Sequence, residues 1–241
     1  MNKKRKINPI LIILCAALAL AAATFAVVLM RGYRYNTLAN GAKFIGESKN
    51  GQPVSGTIRY QNGAEAELDF YNRTIKYQNG DVYVGDISGG CREGRGTMTF
   101  SATGDVYEGD FIAGVKEGTG KYTYANGDVY EGGFLGDLRH GEGVMSWSDG
   151  SKYEGSFVFG LKSGKGSYTY SNGDTYVGDF EDDMRQGEGT YTWAESGESY
   201  TGGFYKNNMH GYGTYTWPDG RASYSGYFEN GKIVAVAPSG S

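Results

Sequence analysis

Proline is scarce, at 4 of 241 residues, and there are only 2 cysteines and 2 histidines. Cys15 lies in an apolar N-terminal run and Cys91 far downstream, so neither an intrachain disulfide nor a cysteine metal site is expected. After residue 30 there are no long apolar runs and no helix-forming stretches. A two-layer core of Leu, Ile and Val is therefore excluded. A nucleophile elbow, a phosphate loop, an HExxH pair and a zinc-ligand pattern are all missing. Catalytic, cofactor-binding and metal-binding residues are each expected to be none, and the chain reads as a non-enzyme. What is present instead is glycine, 41 residues or about 17% against roughly 7% in ordinary proteins. Glycine does not recur at every third position, which excludes collagen. Aromatic residues make up 15%, far from the composition of a disordered chain. Rings must be buried against glycine.

The first 34 residues carry no acid and six basic side chains: Lys3, Lys4, Arg5, Lys6, Arg31 and Arg34. Removing those six from 23 leaves 17 basic against 27 acidic groups in residues 35–241, a net charge of -10. Such a body is a poor nucleic-acid binder, and none is expected as a partner. It is equally poor at docking onto anionic lipid by charge. Residues 10–30 are an apolar run, about 32 Å as a helix, enough to span a hydrocarbon core. The block Lys3–Lys6 precedes it, so residues 1–9 are expected to stay cytoplasmic and the body to be carried to the extracytoplasmic side. A cleaved signal peptide, with Ala19, Ala21 and Ala23 near the cut, is the alternative and would release a secreted body. The run continues through Phe25, Val27, Val28 and Leu29, longer than a signal core, which favours a retained single-pass anchor.

A repeat dominates the rest. Tyr83, Tyr107, Tyr130, Tyr153, Tyr176, Tyr200 and Tyr224 stand 24, 23, 23, 23, 24 and 24 residues apart. Two positions after each lies glycine, from Gly85 to Gly226, and four positions after each an apolar residue, from Ile87 to Phe228. A Gly-x-Gly follows in six units, such as Gly118/Gly120, then a spaced pair of large residues, such as Tyr122/Tyr124, then a turn glycine, such as Gly127.

Strand side chains alternate faces. Tyr107, Gly109 and Phe111 share one parity, as do Tyr122 and Tyr124, so each unit reads as a β-hairpin with its rings on one side. Glu108, Asp110 and Thr123 point the other way. Asn126-Gly127 and Asn172-Gly173 read as tight turns into the next unit. The glycine between Tyr and Phe leaves room for a ring to lie over the backbone. The expected fold is all-β: an elongated single antiparallel sheet of tandem hairpins, preceded by one N-terminal transmembrane helix. Residues 31–43 read as a linker and 44–82 as degenerate capping units. Residues 83–231 form six full units and a half unit, and 232–241 a final strand and tail.

The pattern Tyr-x-Gly-x-Phe followed by Gly-x-Gly, recurring in register over 83–231, resembles the MORN repeat family. The resemblance implies serial hairpins in an elongated groove and a role in scaffolding or targeting, with protein binding and, as proposed for relatives, lipid binding.

His140 and His210 occupy the same repeat position, where other units carry Glu93, Glu117, Ser163 and Gln186. They are expected to be polar loop-end residues that hydrogen-bond locally. The acids Asp81, Asp105, Asp128, Asp174 and Glu198 after the turn glycines are expected to be solvated rather than a cation ladder, at about 10 Å per unit. The candidate binding face comprises Phe111, Tyr122, Tyr124, Phe134, Trp147, Phe157, Tyr168, Tyr170, Phe180, Tyr191, Trp193, Phe204, Tyr215 and Trp217. Most of these rings are expected to pack on one another as the core. A residual exposed stripe would be a recognition surface, since Tyr and Trp are favoured interface anchors. The expected function is a membrane-anchored, non-enzymatic scaffold for a protein partner. Glycan binding by the aromatic face is the alternative and lipid-headgroup binding a second. Self-association through the rings or the terminal strands stays open.

Overall fold

The computed structural model describes residues 33–38, 41–50 and 52–235. The apolar run 10–30, the basic segment before it and the tail after 235 lie outside the described residues. Among the described residues every regular element is a strand, and no helix is long and apolar enough to cross a membrane. The chain divides into two compact units, Met1–Cys91 and Arg92–Ser241.

The first unit holds β1 (Tyr33–Thr37), β2 (Lys43–Lys49), β3 (Gln52–Arg59), β4 (Glu65–Asp69), β5 (Thr74–Tyr77) and β6 (Val82–Ser88). Each pairs antiparallel with the next. Residues 33–37, expected within a linker, are β1 and pair with β2. Alternation along β2 and β4 sends Phe44, Ala66 and Leu68 inward, where they meet Ile58, Ile75 and Tyr83.

The second unit begins in β7 (Cys91–Thr99), which starts at the boundary. Five regular hairpins follow: β8 (Val106–Ile112) with β9 (Val115–Thr123), β10 (Val129–Leu135) with β11 (Leu138–Ser146), and β12 (Lys152–Val158) with β13 (Leu161–Thr169). Then come β14 (Thr175–Glu181) with β15 (Met184–Thr192), and β16 (Ser199–Tyr205) with β17 (Asn208–Thr216). A short hairpin of β18 (Tyr224–Glu229) and β19 (Lys232–Val234) ends it. Successive strands pair antiparallel throughout.

Asn126-Gly127 turns the chain into the next unit as expected, with the Gly127 amide donating to the Tyr124 carbonyl at 3.0 Å, and a second set of turns, of two residues, sits inside each hairpin. Ala113-Gly114, Gly136-Asp137, Phe159-Gly160, Asp182-Asp183 and Lys206-Asn207 all have positive φ at both positions, the type I′ geometry that matches strand twist. Asn126 and Gly127 instead belong to a five-residue loop closed by the Tyr124 amide donating to the Asp128 carbonyl at 2.9 Å.

Every regular hairpin carries a bulge after its glycine pair. Gly109 faces Gly120, yet Phe111 faces Lys116, so two residues on β8 oppose four on β9. Gly118 takes φ +89° there, a conformation L side chains rarely adopt. The Asp110 carboxylate fastens the bulge by accepting the Thr119 amide and hydroxyl at 2.9 Å.

The core is a relay of edge-to-face rings. Tyr107, Tyr130, Tyr153, Tyr176 and Tyr200 are fully buried, and each packs on its own phenylalanine and the next unit's. Centroids lie 4.9–5.3 Å apart at 73–89°. Each buried ring is worth about 1.5–3 kcal/mol, with about 0.5–1.5 kcal/mol more per ring pair. The hydroxyls curl back over the glycines. That of Tyr153 donates to the Ser156 carbonyl at 3.0 Å, and Tyr130 reaches Gly133 in the same way at 2.9 Å.

Candidate functional site

The structure divides the expected binding face in two. Phe111, Phe134, Phe157, Phe180 and Phe204 are buried in the tyrosine relay and offer nothing to a partner. Tyr122, Tyr124, Trp147, Tyr168, Tyr170, Tyr191, Trp193, Tyr215 and Trp217 are half-buried. They lie farther along the second strand of each hairpin and in the loop after it. From Trp147 onward they form one unbroken file. Trp147 meets Tyr168 at 5.2 Å, Tyr168 meets Tyr170 at 4.5 Å, and Tyr170 meets Tyr191 at 5.7 Å. Tyr191, Trp193, Tyr215 and Trp217 follow at 4.7, 5.3 and 4.9 Å.

Sequence reasoning missed the cations on this face. Arg92, Lys116, Arg139, Lys162 and Arg185 each stand two residues before the first glycine of a Gly-x-Gly. That position shares the parity of the rings on the second strand, so it lies on the ring side. The Lys162 ammonium lies 5.1 Å from the Tyr168 ring and 5.6 Å from Trp147. The Arg185 guanidinium lies 5.0 Å from Tyr191 and 6.0 Å from Tyr170. Arg221, from the last loop, covers Trp217 at 5.0 Å. These distances are those of cation–π attraction. Burial pulls the Lys116 and Lys162 ammoniums below the usual lysine range, opposed by Asp137 and Asp183. Met209 takes the same place in the last full unit.

The cation position also ties hairpins together. The Asp137, Asp183 and Asn207 side chains accept the amides of Lys116, Lys162 and Arg185 at 2.9, 3.0 and 2.8 Å. Where the turn has glycine instead, Arg139 donates to the Gly160 carbonyl at 2.6 Å. The neighbouring position caps the next turn, as Glu117 accepts the Gly136 amide at 2.9 Å.

The acids after the turn glycines are fasteners rather than solvated turn residues. Asp174 accepts the Tyr191 hydroxyl at 2.6 Å and the Ala194 amide at 2.8 Å. Asp105 does the same for Tyr122 and Ala125 at 2.8 and 2.9 Å, and Glu198 holds Tyr215 at 2.7 Å. The Tyr191 bond, then the Ala194 amide, keep the Asp174 carboxyl below the usual range.

His140 and His210 sit beside hairpin tips. His140 packs on Phe159 at 5.4 Å and His210 on Tyr205 at 5.5 Å. In these two hairpins the residue that would fasten the bulge is Gly133 or Gly203, and the histidine carbonyl lies where its Cβ would be.

Comparison with known proteins now bears on this arrangement. The MORN repeat profile matches residues 83–102, 107–129, 130–152, 153–175, 176–197 and 200–220. The chain belongs to the MORN repeat family. The half unit after residue 220 falls outside the matches. No curated protein matches the chain. Among solved structures, a mutant TCP10 domain of Danio rerio CPAP is 14% identical, with 83% of this chain and 96% of that one aligned and a TM-score of 0.41. The TCP10c domain of Drosophila melanogaster Sas-4 is 16% identical over 71% of this chain and 99% of that one, with a TM-score of 0.34. At such scores the likeness carries nothing about function.

Proposed function

We propose that this MORN repeat protein is a non-enzymatic scaffold that binds a protein partner through the Tyr/Trp file of its second unit. The observation that carries this is the file from Trp147 to Trp217, half-buried rings in continuous contact beside Lys162, Arg185 and Arg221. Rings with a polar or cationic neighbour are the residues that anchor protein interfaces. The acids and cations that would otherwise suggest chemistry are engaged in fastening hairpins. The sequence supports a membrane anchor at residues 10–30, with the repeats on the extracytoplasmic side.

Proximity labelling from the full-length protein in its own membrane tests this reading. One protein neighbour should be enriched by the native chain and lost in a Trp193→Ala, Trp217→Ala variant that still melts cooperatively. An unchanged neighbour set would remove the file from the interface. Retention on purified cell-wall polysaccharide that vanishes in the same variant would put a glycan in the partner's place.

A further inference from the structure

The hairpin tips of the second unit break the rule that turns are polar. The pairs flanking three successive type I′ turns are Ile112/Val115, Leu135/Leu138 and Val158/Leu161. All six side chains are exposed. Phe159 adds a seventh at the first turn position, with φ 47° and 62% of its surface open. That position favours Asn, Asp or Gly, and a bulky residue there is strained. Exposed strain of this kind points to use.

These tips share one edge because the hairpins run in the same sense, and neighbouring tips are about 10 Å apart. They are rigid as well: the Asp137 amide donates to the Lys116 carbonyl at 3.1 Å and the Gly160 amide to Arg139 at 2.8 Å. The next tip, Glu181-Asp182-Asp183-Met184, carries three acids and ends the stripe. At roughly 150–200 Å² per whole side chain of this size, the open apolar surface is on the order of 600 Å². That is at the top of what a monomer usually shows, and close to the roughly 800 Å² each partner contributes to a stable interface.

We propose that this stripe is a two-fold interface with a second copy of the chain. In an isologous contact the Leu135/Leu138 tip lies on the axis, and Ile112/Val115 of one copy faces Val158/Leu161 of the other. A comb of tips about 10 Å apart is matched in pitch by the same comb reversed, so each tip meets a tip of the other copy. A lipid surface fits less well. It would bring Glu181, Asp182 and Asp183 against the bilayer, and the stripe has no Trp or Tyr of the kind that settles at headgroups. The contact is separate from the Tyr/Trp file, so it stands or falls without the partner reading.

The test uses the full-length protein in its membrane, with Cys15→Ser and Cys91→Ser as background. A single cysteine is placed at Leu138, or at Glu154 on the polar face as control, and mild oxidation is applied. Leu138→Cys should give a covalent dimer at least five-fold above Glu154→Cys. Adding Phe159→Asn, which suits the turn and preserves folding, should lower that yield at least five-fold. Equal yields at the two positions, or a yield indifferent to Phe159→Asn, would overturn the proposal. So would a Leu138→Cys thiol that forms no dimer yet is shielded from a water-soluble maleimide until detergent is added, which would mean lipid covers the stripe.

Discussion

Gly166→Ala isolates the physical idea on which the fold rests. Gly166 does not need the left-handed region, so its backbone tolerates alanine. Space is the obstacle. A Cβ there would lie 2.6 Å from Cε2 and from Oη of Tyr153, and 2.8 Å from its Cζ. The ring has nowhere to retreat, because Phe157 and Phe180 hold its other sides at 5.2 and 5.0 Å. Moving it costs about 1–3 kcal/mol of overpacking. Losing the hydroxyl bond to Ser156 adds about 1 kcal/mol. Alanine gives back about 0.5–1 kcal/mol by restricting the unfolded chain. The net is a loss of about 1–3.5 kcal/mol, about 2–14 °C in melting temperature for a unit of this size. Stability in serial hairpins is nearest-neighbour in character. Hydrogen exchange should therefore accelerate mainly in β12, β13 and β14. In a Tyr153→Ala background the same Gly166→Ala change should become neutral or stabilising, a coupling that a double-mutant cycle measures. A cost below about 1 kcal/mol, or one unchanged without Tyr153, would refute the idea that rings dictate these glycines.

Alkaline titration should show tyrosines that ionise late. Burial pushes Tyr130, Tyr153 and Tyr200 up to about 12, so their stabilisation is complete below pH 10 and is lost as pH rises from 10 toward 12. The last part of the tyrosinate absorbance should then appear together with unfolding, and ionisation of every tyrosine near pH 10 in a folded chain would contradict it. At the acid end, Asp174 is held low by the Tyr191 hydroxyl and the Ala194 amide, and Asp128 first by the Ser148 amide. Their contribution is present above about pH 4 and disappears as pH falls through the depressed values, so the melting temperature should drop only below that point. Asp174→Asn should flatten part of this drop in a pH series of melts. Arg185→Met, which copies the residue found at Met209, removes the guanidinium bond to the Asn207 carbonyl and should cost about 1–3 kcal/mol while weakening capture of the protein partner on the Tyr/Trp file, read by melting and pull-down together.

Much of the fold was legible because one parity rule governs it. Tyr107, Gly109 and Phe111 alternate with Glu108 and Asp110, and that alone placed the rings on one side. The glycine roof was legible too, since a ring next to a missing Cβ suggests its own explanation. The bulge was not. Residues 116, 118, 120 and 122 keep their parity straight through it, so no break in alternation marks the two extra residues. Lys116 and its equivalents share that parity, and basic residues recur at that position in five units, so their place on the ring side was legible from alternation although they went unremarked. The turn into the next unit was legible in Asn126-Gly127, but the two-residue turn inside each hairpin was not. Asn126-Gly127 carries the favoured dipeptide, whereas the real two-residue turn Phe159-Gly160 does not, and the Gly160 bond to Arg139 overrides local preference. The acid ladder looked solvated because its partners, such as Ala194 and Tyr191 for Asp174, lie a full unit away in sequence.

The positions that define the repeat are therefore the ones least free to act. The consensus tyrosines from Tyr107 to Tyr200 and their phenylalanines are buried in the relay, the glycines beside them are roofed or bulged, and Asp105, Asp128, Asp174 and Glu198 fasten a neighbour. What distinguishes this chain must lie where its units disagree. At the tips, three apolar pairs give way to Glu181/Met184 and then Tyr205/Asn208. At the cation position, Arg and Lys give way to Met209. Beyond the strands, Trp147, Trp193 and Trp217 stand where other units have Phe100, Tyr124 and Tyr170. A scaffold of identical units would present a periodic surface with no preferred register, so any partner could slide by about 10 Å without loss. Departures from the consensus remove that degeneracy. On the proposed function, the graded tips and the tryptophan-rich end supply an address along the repeats, and substitutions there should alter recognition more than substitutions in the motif.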